Sequence, residues 1–155
     1  MKRPEHAQAD KASIIRIPDA HTTVMTDERG ITRHLVGPSV GAVKVDVHIN
    51  TLNQDSGTGP YHYHARAENV YVVLDGVVEA IIDHQRYFLV KDDVVFIPRG
   101  VPHAAGSAGF GSATVLEIYA PVGHDFHVLD DPGEVMTVAR PEIEHLLPCG
   151  LVTCE

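Results

Sequence analysis

The chain has 155 residues, of which 44% are hydrophobic, and it carries 21 acidic against 12 basic side chains, for a formal net charge of −9. This length fits one domain with a real core, and the acidic balance argues against a nucleic acid or an anionic membrane as partner, since either favours a clustered basic surface. No apolar h-region follows the N-terminal charges and no apolar run approaches the roughly 20 residues that cross a bilayer, so we expect a cytoplasmic protein.

The N-terminal segment, residues 1–39, shows two candidate edge strands. They are "SIIRIP" at 13–18 and "HTTVMT" at 21–26. Residues 40–120 then repeat short β-branched runs that are separated by Gly, Pro or Asp, which is typical of a sandwich or barrel. We therefore predict an all-β protein with one domain overall and residues 40–120 as its core.

Strands and turns within 40–120 follow from alternation and from turn chemistry. The stretch "AVKVDVHINT" alternates strictly and predicts a half-buried strand. Asp75-Gly76 separates "NVYVVL" from "VVEAII" and predicts a hairpin, because Asp-Gly between apolar runs favours a tight turn. Lys91-Asp92-Asp93 predicts a second hairpin between "RYFLV" and "VVFIP", and "SATVLEIYAP" adds a last strand.

The C-terminal tail, residues 121–155, changes character. It is rich in proline, and Pro141 stands at the start of a short predicted helix that ends at Leu147. We expect this tail to pack on the barrel or on a neighbouring subunit. Cys149 and Cys154, the two cysteines of the chain, are expected to be free thiols in that tail.

A pair of histidines precedes the strand "NVYVVL". Alternation along a strand places His62 and His64 on one face, with Cβ atoms roughly 6.5 Å apart, and Tyr61 and Tyr63 on the other. Two imidazoles at this spacing can converge on one ion, and a third histidine and a carboxylate would complete the ligand set. Candidates for these are His103, after a Pro-x-Gly turn, and Glu68.

The segment "PYHYHARAENVYVVLDG" resembles the first motif of the cupin superfamily, and "DDVVFIPRGVPHAAGS" resembles the second. The resemblance implies a double-stranded β-helix, or jelly-roll barrel, with a short C-terminal helix and tail. It places His62 and His64 at the paired histidines of the first motif and His103 at the histidine of the second. Because this fold carries many reactions, the resemblance is specific for fold and weak for activity.

The fourth ligand has two candidates. Counting back from Gly76 to the motif's acidic position gives Asn69, whereas counting forward from His64 gives Glu68. Strand parity favours Asn69 as the inward residue, and ligand chemistry favours Glu68, because a carboxylate binds a hard or borderline cation better than an amide does. We favour Glu68 and keep Asn69 as the alternative.

Inward positions of the same strands are expected to line a pocket beside the ion. They are Tyr71, Val73, Phe88, Phe96, Glu117 and Tyr119. Arg66 and Arg99 are interpreted as solvated charges, although either can meet an anionic substrate at the mouth of the pocket. His124 and His127, a second pair in a turn-rich segment, are interpreted as surface residues.

An ion with three or four protein ligands keeps positions open for water, dioxygen or an oxygen-bearing substrate. The first hypothesis is thus a small non-heme metal-dependent oxygenase that acts on a small organic molecule and resembles single-domain dioxygenase cupins. The alternatives are a metal-dependent isomerase, lyase or cyclase, a non-catalytic binding or sensory protein, and a structural metal site. The sequence does not select among Fe, Zn, Ni, Mn and Cu.

The resemblance also implies an assembly. Cupins commonly dimerise by pairing barrel edges and exchanging terminal strands, and "SIIRIP" fits that role. Since an open sheet edge favours pairing with another chain, we expect a homodimer.

Overall fold

The computed structural model describes residues 12–152, and two sheets of six strands dominate it. Neighbouring strands of the first sheet, in order, are β1 (His21–Val24), β2 (Gly30–Val36), β3 (Asp46–Leu52), β10 (Ala113–Ala120), β5 (Glu68–Asp75) and β8 (Val94–Ile97). Those of the second are β11 (His127–Val128), β4 (His62–Tyr63), β9 (His103–Ser107), β6 (Val77–Ile82), β7 (Gln85–Val90) and β12 (Met136–Thr137).

The arrangement is the predicted all-β double-stranded β-helix. The expected closed barrel does not form among the described residues. All strand pairs are antiparallel except β12 with β7. Within residues 12–152 no strand of one sheet pairs with a strand of the other, so the structure is two facing sheets, not a closed barrel.

Within residues 12–152, four short 3-10 helices precede, connect or follow the strands. They span Ile17–Asp19, Thr26–Glu28, Pro38–Val40 and Pro141–Leu146. Among the described residues, none of these helices has the length and apolar character needed to span a membrane.

The main core lies between the sheets. Its buried members are Leu52, Tyr71, Val73, Val78, Ala80, Leu89, Ile97, Ala113 and Val115. They come from alternate positions of strands in both sheets, as expected where each strand turns one face inward. Burial of this apolar surface is the main force that holds the sheets together.

Both hairpins predicted from the sequence are wrong. The turn at Gly76 joins β5 of the first sheet to β6 of the second, and the turn at Asp92 joins β7 of the second sheet to β8 of the first. At each site the chain crosses between sheets: β5 has its edges occupied by β10 and β8, and β7 has its edges occupied by β6 and β12. Gly76 has φ +74°, and a Cβ on it would lie 2.5 Å from the carbonyl oxygen of Ser112.

A tight hairpin that the sequence did not predict joins β6 to β7. Ile82 pairs with Gln85, and Asp83 and His84 between them have φ +48° and +64°. Two positive φ values at the centre of a two-residue loop are typical of a type I′ turn. Asp83-His84 lacks the glycine that usually announces such a turn, which is why the sequence did not reveal it.

The N-terminal expectation is confirmed for one segment only. Residues 21–24 form edge strand β1, as expected, whereas "SIIRIP" contains no strand within its described residues. Its residues from Ile17 onward enter a 3-10 helix, where Pro18 stands at an early position that suits helical φ. Ile14 is 95% exposed. The strand exchange and the homodimer stay predictions.

The C-terminal helix forms where the sequence predicts it and packs on the second sheet. Ile143 and Leu147 are buried together with Val77, Phe88 and Ala108. Cys149 is disulfide-bonded, so the expectation of a free thiol is wrong for this residue. The segment around it is not a loose tail, because Leu147 anchors it and Cys149 forms a β-bridge with Val152. Cys154 lies outside the described residues.

Candidate metal centre

Three histidines from two separate segments meet at one end of the space between the sheets. His62 lies on β4 and is paired directly with His103 of β9, while His64 follows β4 immediately. Their ring centroids are 4.4 Å (His62 to His103), 4.9 Å (His62 to His64) and 5.2 Å (His64 to His103) apart. One potential ligand atom of each lies within 4.8 Å of the other two, so a single ion can reach all three.

Backbone carbonyls fix the tautomer of each ring. Nδ1 of His62 is 2.7 Å from the carbonyl oxygen of Pro60, Nδ1 of His103 is 2.9 Å from that of Val101, and Nδ1 of His64 contacts that of Asp125. Because a carbonyl only accepts, each Nδ1 carries the hydrogen and each Nε2 keeps its lone pair. This is how proteins orient metal-binding imidazoles.

The unprotonated Nε2 atoms are available to a metal ion. Nε2 of His64 and Nε2 of His103 are buried and have no hydrogen-bond partner there. Their side chains are nearly inaccessible, with 2% and 1% exposure for the two residues. A buried polar atom without a partner is costly and needs an explanation. Three converging, hydrogen-free nitrogens are the donor set that a divalent transition metal prefers.

The same surroundings keep these imidazoles neutral. Burial, followed by repulsion from His103, lowers the pKa of His62 to about 3. Burial also lowers the pKa of His103 to about 4, and it lowers the pKa of His64. A metal ligand must be unprotonated, so the rings can bind an ion at neutral pH without first losing a proton.

Strand parity decides between the two candidates for a fourth ligand. Asn69 is fully buried, its Nδ2 donates to the carbonyl oxygen of Ile118 at 3.2 Å, and its Oδ1 has no partner among the described residues. Glu68 points to the other side, where it is exposed in a surface cleft with Arg99. The preference for Glu68 is therefore wrong: the structure does not bring its carboxylate to the three histidines. The role of Asn69 as a ligand stays a prediction.

Asp125 supports the centre, and the sequence analysis missed it. Its carbonyl oxygen accepts the hydrogen bond from Nδ1 of His64. Its carboxylate accepts hydrogen bonds from the backbone N–H groups of Ala65 (2.8 Å) and Arg66 (3.0 Å). The same carboxylate lies 2.5 Å from Nε2 of His127. Although desolvation opposes it, these hydrogen bonds hold the pKa of Asp125 well below its usual range. Asp125 thus fixes the backbone that directly follows His64, from about 60 residues along the chain.

The segment around Asp125 covers the histidines. Phe126 stacks on His62 with ring centroids 3.9 Å apart, and His124 stacks on Tyr119 at 3.9 Å. Nδ1 of His124 is buried without a hydrogen-bond partner in the described chain. The interpretation of His124 as a surface residue is therefore wrong, because the segment folds back onto the site. His127 is exposed, as expected.

A cavity of about 150 Å³ opens beside His62. Its walls are Met25, Arg29, Asn50, Leu52, Gly59, Pro60, Tyr71, Ala105, Glu117, Tyr119 and Phe126. Of the predicted pocket residues, Tyr71, Glu117 and Tyr119 are in these walls.

The other three predicted pocket residues lie elsewhere. Val73 faces inward but is 1% exposed in the packed core, further along β5 than the cavity. Phe88 belongs to the opposite face of β7, where it packs with Ile143. Phe96 faces outward from β8 and is 57% exposed. Strand alternation explains why Phe88 and Phe96 do not line the cavity, because each lies on the face of its sheet that points away from the interior.

Glu117 and Tyr119, which both line the cavity, form a buried hydrogen-bonded pair. The hydroxyl of Tyr119 donates to the carboxyl of Glu117, which also has a hydrogen bond with Asn50. Burial raises the pKa of Glu117, more than these hydrogen bonds lower it, and burial raises the pKa of Tyr119 as well. Glu117 therefore takes up a proton at a higher pH than an exposed glutamate, and it can hold or release one inside the cavity.

The chain is similar to known proteins over this region. Residues 49–119 match the Cupin domain family. Quercetin 2,3-dioxygenase of Bacillus subtilis (strain 168) is 40% identical over 74 residues, which are 47% of this chain and 22% of that protein. Germin-like protein subfamily 3 member 4 of Arabidopsis thaliana is 32% identical over 87 residues, 53% of this chain and 41% of that protein. The chain thus spans less than half the length of these two relatives.

Solved structures share the fold at lower identity. The polyketide cyclase RemF from Streptomyces resistomycificus superposes with a TM-score of 0.67 at 19% identity, over 79% of this chain and 90% of that one. A likeness at this identity concerns the architecture alone. Residues 49–119, which include His62, His64 and His103, thus resemble the Cupin domain family, and the fold around them is the one that this solved structure shares.

Proposed function

We propose that this protein is a metal-dependent enzyme in which His62, His64 and His103 hold one divalent transition metal ion, and that it acts as an oxygenase on a small organic molecule. The observation that carries the proposal is the pair of buried Nε2 atoms, on His64 and His103, without partners in the described chain. The cavity beside His62 gives a substrate access to the same ion. A purely structural ion would not need such a space.

Bound in this site, the ion would act as a Lewis acid and as a binding point for dioxygen or a substrate oxygen. Three neutral protein ligands leave its charge uncompensated and its remaining positions open, which suits iron, copper, nickel, manganese or zinc. The choice of an oxygenase rests on the relative that is a quercetin 2,3-dioxygenase. Phe126 and Tyr71 would exclude water from the substrate, and Glu117 would hold or accept a proton within the cavity.

A second candidate is a metal-dependent isomerase, lyase or cyclase. The specific observation in its favour is the Glu117–Tyr119 pair, because a buried carboxyl with a raised pKa can move protons on a substrate without consuming oxygen.

Metal analysis of the purified protein by plasma mass spectrometry, followed by oxygen uptake, tests the proposal. We expect about one transition metal ion per chain, as a single three-histidine site implies, and oxygen consumption with at least one member of a panel of catechols, diketones and thiols. A metal-loaded protein that consumes no oxygen with any of them would favour the isomerase, lyase or cyclase, or a non-catalytic binding protein. A protein that binds no metal would refute both enzymatic candidates.

Matched variants locate the ion. We expect His62→Ala and His103→Ala to lose the bound metal while circular dichroism shows a retained β fold. Glu68→Ala is the control, because its carboxylate is exposed and outside the histidine cluster. Full metal content in the double variant of His62 and His103, or loss of metal in Glu68→Ala, would contradict the site.

A further inference from the structure

Arg29 places a positive charge in the wall of the cavity that His62 also lines. It follows the turn Thr26–Glu28, and its carbonyl oxygen accepts hydrogen bonds from the backbone N–H of Asn53 (2.8 Å) and from the Ser56 hydroxyl (3.3 Å). These contacts tie the turn to the segment that leads into β4. The base of the side chain is therefore fixed relative to the candidate metal centre.

The guanidinium of Arg29 is not neutralised within residues 12–152. Arg29 takes part in none of the ion pairs of this part of the chain. The carboxyl of Glu117 also lines the cavity, but its hydrogen bonds go to Tyr119 and Asn50. Arg29 is half-buried, and a cationic side chain that is partly withdrawn from water favours an anionic partner.

Gly59 provides the space that the guanidinium occupies. A Cβ at Gly59 would lie 2.6 Å from Nη1 of Arg29 and 2.9 Å from its Cζ. The backbone of Gly59 does not have a positive φ, so its conformation is open to other residues. The glycine is thus needed for the close approach of Arg29 and not for a turn.

We propose that Arg29 binds the carboxylate of a small organic acid whose other oxygen-bearing end faces the three histidines. This rests on the proposed function, since the histidine-bound ion would receive that other end. The planar fork of a guanidinium matches a carboxylate with two parallel hydrogen bonds. Arg29 is the only arginine or lysine among the described wall residues, and one positive charge balances one carboxylate better than it balances a phosphate dianion.

The size of the cavity limits the acid. At about 150 Å³ the cavity is smaller than the roughly 300–1,000 Å³ pockets that take drug-sized ligands. The substrate would therefore be an acid of a few carbons that carries a hydroxyl or carbonyl oxygen. Tyr71 and Phe126 would contact its apolar part.

Calorimetric titration with matched acids and amides tests the proposal. The probes are lactate and 3-hydroxybutyrate, with lactamide and 3-hydroxybutyramide as uncharged counterparts of the same shape. We expect the zinc-loaded protein to bind each acid more tightly than its amide by about 10- to 100-fold, the difference expected for a charge-assisted hydrogen-bonded pair. Metal content is measured on the same samples.

Three variants assign the preference to Arg29. Arg29→Gln should abolish it, and Gly59→Ala should reduce it by displacing the guanidinium while Arg29 itself is retained. Arg99→Gln, which removes an exposed arginine outside the cavity, should leave it unchanged. Circular dichroism checks that each variant is folded.

The outcomes separate this proposal from the proposed function. A wild-type protein that takes up no metal refutes the metal enzyme. A metal-loaded protein that binds no acid, shows no preference for acid over amide, or keeps that preference in Arg29→Gln refutes the role of Arg29 alone. Arg29-dependent binding of inorganic phosphate that is tighter than binding of the acids would overturn the assignment to carboxylates.

Discussion

Acid should destabilise the metal-free protein through its buried histidines. The effect should begin at a higher pH than the range in which exposed aspartate and glutamate side chains become protonated. The pKa of His103 is lowered to about 4 from 6.5, chiefly by burial. Between these two values the unfolded chain binds a proton at His103 that the folded protein does not. The free energy of unfolding therefore falls as the pH falls, by about 1.4 kcal/mol per pH unit for this one group.

The loss between pH 7 and pH 5 follows from these values. His103 contributes about 2 kcal/mol over this interval, and His62, whose pKa is lowered to about 3, contributes a similar amount. Glu117 reduces this loss of stability. Because its pKa is raised, the folded protein binds a proton there at a higher pH than the unfolded chain does. A loss of about 2 to 4 kcal/mol is large against the roughly 5–15 kcal/mol that stabilise a typical domain.

Urea denaturation at pH 7, 6 and 5, with a chelator present throughout, measures this effect. His103→Gln should lose less stability than the wild type over the same interval, because it lacks one titrating ring. His145→Gln is the matched control, since His145 is exposed on the C-terminal helix. The reasoning is refuted if the wild type is equally stable at pH 7 and pH 5, or if His103→Gln keeps the full wild-type dependence on pH.

Three further predictions concern the scaffold. Ile143→Ala should lower the free energy of unfolding by about 2–4 kcal/mol, measured by urea denaturation, because it empties a buried position between the C-terminal helix and the second sheet; a change below about 0.5 kcal/mol, as at a surface site, would contradict that packing. Gly76→Ala should destabilise by more than about 1 kcal/mol in the same assay, because the new Cβ would meet the Ser112 carbonyl and φ is positive; unchanged stability would show that the crossing between sheets is different. Light scattering at tens of micromolar should give the mass of a homodimer, and a monomer would contradict the predicted assembly.

The sequence by itself determined most of the strands and the three-histidine cluster of the candidate metal centre. Alternation and β-branched runs marked most of the strands, because side-chain direction along a strand follows from local geometry, although the run "SIIRIP" forms no strand. The His-x-His spacing and the turn before His103 indicated one shared ion, and the three rings do lie together. These features depend on residues that are neighbours in the chain, or on motifs that resemble those of a known family.

Only the tertiary structure decided which strands pair and which residues surround the site. The turn at Gly76 looks like a hairpin locally, but it is a crossing, since the partners of β5 come from elsewhere in the chain. Asn69 faces inward in place of Glu68 because its strand is held in register by β10 and β8. Asp125 and Arg29 reach the site from segments distant in sequence, and contacts of this kind arise when the two sheets pack, so no local pattern announces them.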